Sequence, residues 1–286
     1  MSLFFALISN YDMLDPMPKM LEQIKGFLVD LDGTTYLSGT ALPGAVDFFQ
    51  LLKKQQIPCL FFSNNPSKHV DEYVKKITQL GLPVTAKNIL TSTQATTHYL
   101  KDNELNRVYT VGTPGFEEEV KQAGVNLVKA DEQPDALVIS FDTTLTYDKL
   151  QQAALLLHHN PELPYIATNP DLVCPTADGP IPDCGSLIAL LKAATNREPV
   201  VIGKPNEGMV HLANKRLGLP PEDLAVIGDR LYTDMKMGHD HGLTTILVLS
   251  GETNKEDLSD APWQPDFIFK DLAELYEQLH PTQPLQ

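Results

Sequence analysis

Short, unbroken apolar runs that close on a polar or acidic residue constrain this chain more than any other feature. Gly26-Phe27-Leu28-Val29-Asp30, Pro58-Cys59-Leu60-Phe61-Phe62-Ser63 and Val200-Val201-Ile202-Gly203-Lys204 have this form. So do Leu224-Ala225-Val226-Ile227-Gly228-Asp229, Thr244-Thr245-Ile246-Leu247-Val248-Leu249-Ser250 and Asp266-Phe267-Ile268-Phe269. A run that is apolar at every position, rather than at every second one, reads as a strand covered on both faces. Helical patterns lie between the runs. Ala45 to Gln55 carries Val46, Phe48, Phe49, Leu51 and Leu52, Lys68 to Leu80 stops at Gly81, and Glu207 to Leu217 stops at Gly218. Glycine after the last periodic residue is a helix stop. Strands alternating with helices predict an α/β fold on a parallel sheet. Right-handed crossovers then put the carboxyl ends of the strands along one edge, where ligands bind in open sheets of this kind.

The middle of the chain repeats the pattern on a smaller scale. Arg107 to Gly112, Ala136 to Ser140 and Tyr165 to Thr168 read as strands, and Lys149 to His158 and Ser186 to Ala194 as helices. The runs that end on chemically capable residues lie outside this stretch. The expectation is a discontinuous core, residues 1–85 and 199–286, with a second α/β domain inserted at 86–198.

Charge narrows the partners. Lys and Arg number 22 against 37 Asp and Glu, a formal charge of −15. That balance opposes nucleic acid and an anionic membrane surface alike, since both require clustered basic residues. The only cysteines, Cys59, Cys174 and Cys184, form no Cys-x-x-Cys pair, which points to a reducing, cytoplasmic location. The apolar stretch Leu3 to Ile8 lacks a basic start and a small-residue cleavage site, so it reads as a short extension rather than a signal peptide.

Asp30-Leu31-Asp32-Gly33-Thr34 is the centre of the chemical argument. A period of two sends Asp30 and Asp32 to the same side, and Gly33 allows the chain to turn there. Two acids so close favour a bound cation or one raised pKa. A calcium loop is excluded, because its sixth and twelfth positions would be Thr35 and Ala41 instead of Gly and Glu. Ser63-Asn64-Asn65 adds a hydroxyl and two amides, Lys204 a compact cation, and Asp229 and Asp234 two further carboxylates. Singly, each also reads as a turn cap, a surface lysine or a helix cap. Together they fall at strand ends that a parallel sheet brings to one edge. His158 and His159 read as surface residues, and His239-Asp240-His241 as a helix-ending turn.

With those residues in hand, the chain resembles the haloacid dehalogenase-like superfamily of phosphatases. The motifs Asp30-x-Asp32-Gly33-Thr34, Ser63, Lys204 and Gly228-Asp229-x-x-x-Thr233-Asp234 occur in the superfamily's order. The insertion between Ser63 and Lys204 is similar to the C2-type cap of the NagD-like, para-nitrophenylphosphatase-like branch. Leu42-Pro43-Gly44-Ala45, Ser63-Asn64-Asn65-Pro66, Thr168-Asn169-Pro170-Asp171 and Gly203-Lys204-Pro205 extend the match, which runs from about Gly26 to Asp271. The resemblance implies a Rossmann-like core and a magnesium-dependent phosphatase acting on a small phosphorylated metabolite such as a nucleotide or sugar phosphate. Asp30 would be the nucleophile and Asp32 the acid and base. Gly33, Ser63, Asn64, Asn65 and Lys204 would bind the phosphoryl group. Mg2+ would be held by Asp30, the Asp32 backbone and Asp229, with Asp234 behind them. Asn169, Asp171 and Cys174 would contact the leaving group from the cap, and two copies could pair cap to cap.

One stretch departs from the branch. Its usual Pro-Gly-x-Gly-Ser stands here as Pro182-Asp183-Cys184-Gly185-Ser186, which opens the question of the loop's shape. A dehalogenase needs no acid at Asp32, so dehalogenation ranks below phosphate hydrolysis. A phosphotransferase or mutase, or a non-catalytic binding module on the same fold, are the alternatives.

Overall fold

The structure, a computed structural model, describes residues 20–37, 39–176 and 178–279. The segment Leu3 to Ile8 lies outside the described residues. In chain order the strands are β1 (Gly26–Asp30), β2 (Tyr36–Leu37), β3 (Thr40–Ala41), β4 (Cys59–Ser63), β5 (Ile89–Thr91), β6 (Arg107–Val111), β7 (Asn126–Leu127), β8 (Ala136–Ile139), β9 (Tyr165–Ala167), β10 (Val173–Thr176), β11 (Gly179–Pro182), β12 (Val200–Val201), β13 (Leu224–Gly228), β14 (Thr244–Val248) and β15 (Phe267–Phe269). The α-helices are α1 (Ala45–Gln55), α2 (Val70–Gln79), α3 (Ser92–Asp102), α4 (Pro114–Gln122), α5 (Tyr147–His159), α6 (Cys184–Thr195), α7 (Glu207–Leu217), α8 (Lys236–His241) and α9 (Leu272–Leu279).

Two parallel sheets organise the chain. The first has six strands in the order β15-β14-β13-β1-β4-β5. β1 sits centrally, with Phe27 opposite Cys59 on one side and Ala225 on the other. Its side chains alternate between two apolar layers. Phe27 and Val29 join Phe48, Phe49, Phe61 and Leu272, while Leu28 faces Leu60, Phe62, Met209 and Val226. This two-sided burial is why the run has no polar residue before Asp30. Aromatic rings lock the first layer edge to face, Phe27 and Phe48 lying 5.6 Å apart.

The second sheet has five strands in the order β12-β9-β8-β6-β7. α5 and α6 cover one face, where Ile139, Leu157, Tyr165 and Leu191 pack together. The other face, through Val108, Val138 and Ile166, belongs to the same apolar cluster as Leu28 and Leu60, with Ala95 and Leu100 of α3 in the same cluster. The insertion is thus seated on the core by continuous packing. No helix among the described residues is long and apolar enough to cross a membrane.

Two strands fall on the other side of the expected seams. β5 pairs with β4 in the first sheet, although residues 86–198 were expected in the insertion. It is only three residues long, too short for a period to be legible. Val200 and Val201 pair with β9 in the second sheet rather than forming a core strand that runs to Lys204. Gly203 leaves that strand by donating to Thr168 C=O at 2.9 Å, and it is this turn that carries Lys204 across to the first sheet.

α4 buries an acid outside the metal-competent cluster. Glu119 is 8% exposed, and burial pushes its carboxyl up to about 7 despite the help of His69 and Gln94. The native carboxyl therefore keeps a proton that the unfolded chain loses near 4.5. Between those values the native state binds more protons, so stability falls as pH rises through the window. Glu119→Gln should match the wild type near pH 4.5 and exceed it by about 1–3 kcal/mol at pH 8 in urea denaturation. An equal difference at both pH values would contradict this.

Candidate active site

Asp30 ends β1, and the chain folds back at once. Thr35 Oγ1 donates to Asp30 C=O at 2.6 Å, and the backbone N–H groups of Thr35 and Tyr36 both donate to Leu31 C=O. Gly33 makes the turn with φ +91, and a Cβ there would lie 2.3 Å from Asp229 Oδ2, so both conformation and space require glycine. Asp32 projects into solvent from this turn, and the buried Tyr36 hydroxyl donates to its Oδ2 at 3.3 Å.

β4 ends on Ser63, whose hydroxyl lies 3.3 Å from Tyr73 OH and accepts from Asn65 N–H at 3.2 Å. The Asn65 side chain is occupied locally, its Oδ1 accepting from Ser67 N–H and Oγ. Asn64 faces the other way. Its Oδ1 accepts from Lys204 N–H at 2.7 Å, and its Nδ2 donates to Lys204 C=O at 3.0 Å. The two Asn side chains expected on the phosphoryl group are thus engaged elsewhere. Asn65 caps its own turn, and Asn64 clasps the lysine peptide.

Lys204 joins the site's halves. Its ammonium donates to Asp30 Oδ1 at 2.5 Å and to Asp234 Oδ1 at 2.7 Å. Asp234 reaches it from a widened helical turn after β13, in which Met235 N–H bonds Arg230 C=O at 3.1 Å. Asp229, at the end of β13, accepts from Glu252 N–H at 2.7 Å. Asp30, Asp229 and Asp234 each offer a carboxylate oxygen within 4.8 Å of the others.

Three carboxylates against one ammonium leave an excess of two negative charges. Burial raises the Asp30 carboxyl well above its usual range, Lys204 opposes that, and Asp234 and Asp229 add to it. Burial and then Asp234 push Asp229 up to about 6. Although burial alone would lower it, Asp234 and Asp30 hold the Lys204 ammonium above its ordinary value. An all-oxygen donor set with two uncompensated charges fits a hard divalent cation. The Asp32 carboxylate stands outside this set.

On the insertion, the residues expected to touch a leaving group divide. Asn169 is buried and donates to Asp171 Oδ2 at 2.9 Å and Asp183 Oδ1 at 3.0 Å. Asp171 Oδ2 also accepts from Asn64 at 2.8 Å, and Oδ1 lies 3.6 Å from Arg230. Neither side chain is free for a ligand. Cys174 is half-buried. Burial, and then the charge of Asp183, raises its thiol. Asp183 settles the altered loop. Its backbone is extended at φ −107, which needs no glycine, and its carboxylate caps α6 by accepting Cys184 N–H at 2.5 Å.

Arg230, Glu252 and Tyr73 escaped the sequence reading. Arg230 pairs with Glu252 at 2.9 Å, which in turn accepts from Tyr232 OH. Nothing in their residue types announces these partners, although Arg230 directly follows Asp229. His158 and His159 are exposed, and His239 to His241 end α8 before Gly242. Cys59, Cys174 and Cys184 form no disulfide with one another.

The chain matches the family described as haloacid dehalogenase-like hydrolase over residues 27–126 and a second, HAD-hydrolase-like family over residues 201–275. It is 34% identical to the acid sugar phosphatase of Staphylococcus haemolyticus over 88% of this chain and 95% of that protein. It superposes on the 4-nitrophenylphosphatase of Thermotoga maritima with a TM-score of 0.84 at 41% identity, covering 90% of this chain and 97% of that one. NagD from Escherichia coli K-12 gives a TM-score of 0.82 at 29% identity, over 88% and 98% of the two chains.

Proposed function

The chain belongs to the haloacid dehalogenase-like hydrolases, in their NagD-like phosphatase branch, and we propose that it hydrolyses nucleotide or sugar phosphates with magnesium, through an aspartyl-phosphate on Asp30. That it is a phosphatase of small phosphate monoesters follows from its family. The observation that carries the mechanism is Lys204, buried and bonded at once to Asp30 at the end of β1 and to Asp234 in the helical turn after β13.

Asp30 attacks phosphorus, forming an acyl phosphate as the ester P–O bond breaks. Asp32 gives its proton to the departing alcohol oxygen. In the second step Asp32 takes a proton from water, the water oxygen bonds to phosphorus, and the Asp30–phosphorus bond breaks. Lys204 and the Ser63 hydroxyl stabilise the phosphoryl oxygens, whose charge is the main electrostatic burden. Magnesium, held by Asp30, Asp229 and the Asp32 backbone with Asp234 behind, would offset the repulsion between Asp30 and the phosphate.

Asp32 alone in this set stands in solvent and outside the acidic cluster, which suits a group that exchanges protons with alcohol and water. Asp32→Asn should therefore lose about 10²-fold or more on alkyl phosphates and far less on a para-nitrophenyl ester in the first step. Equal losses in phosphoenzyme formation for both would contradict the assignment. Hydrolysis of para-nitrophenyl phosphate with magnesium, with a chelator, and by Asp30→Asn tests the whole reading. It predicts turnover only in the first case. Magnesium-independent turnover that survives in Asp30→Asn would refute it.

Three cysteines with no disulfide among them support a reducing location, and the cytoplasm is part of the proposal. Exposed Leu155 and Leu190, on the neighbouring helices α5 and α6, support a homodimer through the cap. Sedimentation of the full chain would detect it.

A further inference from the structure

We propose that Asp171 is a positioning residue that ties the seating of the inserted sheet to the placement of Lys204, acting through Asn64. The inference rests on the phosphatase reading above.

The path is short and every contact on it is direct. Asp171 Oδ2 accepts from Asn64 Nδ2 at 2.8 Å. That nitrogen has two hydrogens, and the second goes to Lys204 C=O at 3.0 Å. Asn64 Oδ1 takes the Lys204 N–H at 2.7 Å, so one amide grips the lysine peptide on both sides. At the far end of the same residue, the ammonium reaches Asp30 at 2.5 Å.

Both sides of the Lys204 loop are fixed by the insertion as well. Gly203 N–H donates to Thr168 C=O at 2.9 Å, and a Cβ on Gly203 would lie 2.5 Å from that oxygen and 2.8 Å from Asn64 Oδ1. Asp171 is itself held from the insertion by Asn169 at 2.9 Å and faces the core cation Arg230 at 3.6 Å. Its side chain is only 9% exposed. Lifting the insertion away would separate a buried carboxylate from an amide and a guanidinium at one stroke. It would also leave Asn64 with an unsatisfied donor beside the lysine. The placement of the phosphoryl-binding cation is thereby tied to the seating of the insertion. Because the coupling acts on the phosphoryl site, it is blind to the leaving group. A substrate contact by Asp171 would not be.

Inorganic phosphate, which has no leaving group, separates the two roles. Its affinity is measured by calorimetry on the full chain in magnesium buffer, beside kcat/KM for para-nitrophenyl phosphate and a sugar phosphate. Asp171→Ala should weaken phosphate binding about tenfold and lower kcat/KM by a similar factor for both esters. Asn64→Ala should do the same, and the double variant should be no worse than the poorer single one. Asp171→Asn, which keeps an oxygen for the Asn64 amide, should recover most of the phosphate affinity and guards against a misfolded alanine variant. Unchanged phosphate affinity with loss on one ester only would overturn the proposal in favour of a substrate contact. Additive losses in the double variant would also overturn it. A wild-type chain that binds phosphate but hydrolyses no ester would count against the phosphatase reading alone, leaving the affinities to test the coupling.

Discussion

Asp30→Asn should lose at least about four orders of magnitude in turnover while folding at least as stably as the wild type. The side chain sits at the end of the central strand with Lys204 Nζ 2.5 Å from its Oδ1. An amide has the same shape and still offers an oxygen to the ammonium. It cannot form an acyl phosphate at a useful rate, because a neutral amide oxygen is a far weaker nucleophile than a carboxylate. The replacement also removes one of three clustered carboxylates, the one that burial, Asp234 and Asp229 hold well above its usual range. Loss of activity and loss of structure are therefore separable. Turnover of para-nitrophenyl phosphate and the urea midpoint, measured on the same preparation, check both halves. A variant that keeps a tenth of wild-type turnover would show that another group attacks phosphorus.

Lys204→Met should damage both function and stability. The side chain is 3% exposed and, among the described residues, is the only cation paired with Asp30 and Asp234. Methionine fills a similar volume, so packing is largely kept, but two buried carboxylates lose their partner. Breaking such a pair costs about 3–5 kcal/mol at neutral pH. Asp30, already raised by burial, escapes part of this by holding its proton to higher pH than in the unfolded chain, so the native state binds more protons. Stability then falls as pH rises, and the deficit against wild type should grow from pH 5 to pH 8. Activity should drop by about 10² to 10³, the usual effect of losing one preorganised charge on the transition state. Urea denaturation at the two pH values gives the test. A pH-independent deficit would mean that packing, rather than charge, is what Lys204 contributes.

The core strands and their termini were legible because burial on both faces leaves an unmistakable trace. Gly26–Asp30 and Leu224–Gly228 form as expected, with Asp30 and Asp229 at their ends. The residue types at those ends sufficed to find the acidic cluster and its lysine. What sequence could not give was direction. Asn64 and Asn65 are adjacent amides in a turn, and only the fold turns one toward Lys204 and the other toward Ser67. Asp171 was expected to face a leaving group, yet its carboxylate is taken up by its neighbour Asn169 and by Asn64 and Arg230, two partners distant in sequence. The Lys204 segment misled for a related reason. Val200 and Val201 have strand character, but a two-residue strand records nothing about which sheet it joins. The loss of glycine at Asp183 looked like a defect, whereas an extended backbone and a helix N-terminus make aspartate a suitable residue there.

Covalent phosphorylation of Asp30 is the step on which the mechanism depends. Asp32→Asn slows the water step, so a good leaving group should still load the enzyme and then stall. Mixing this variant with para-nitrophenyl phosphate and magnesium, quenching in acid and mapping the peptides measures this directly. The prediction is one equivalent of nitrophenol in a burst, with the phosphoryl mass on the peptide that holds Asp30. Steady release of nitrophenol matched by inorganic phosphate, with that peptide unmodified, would contradict it.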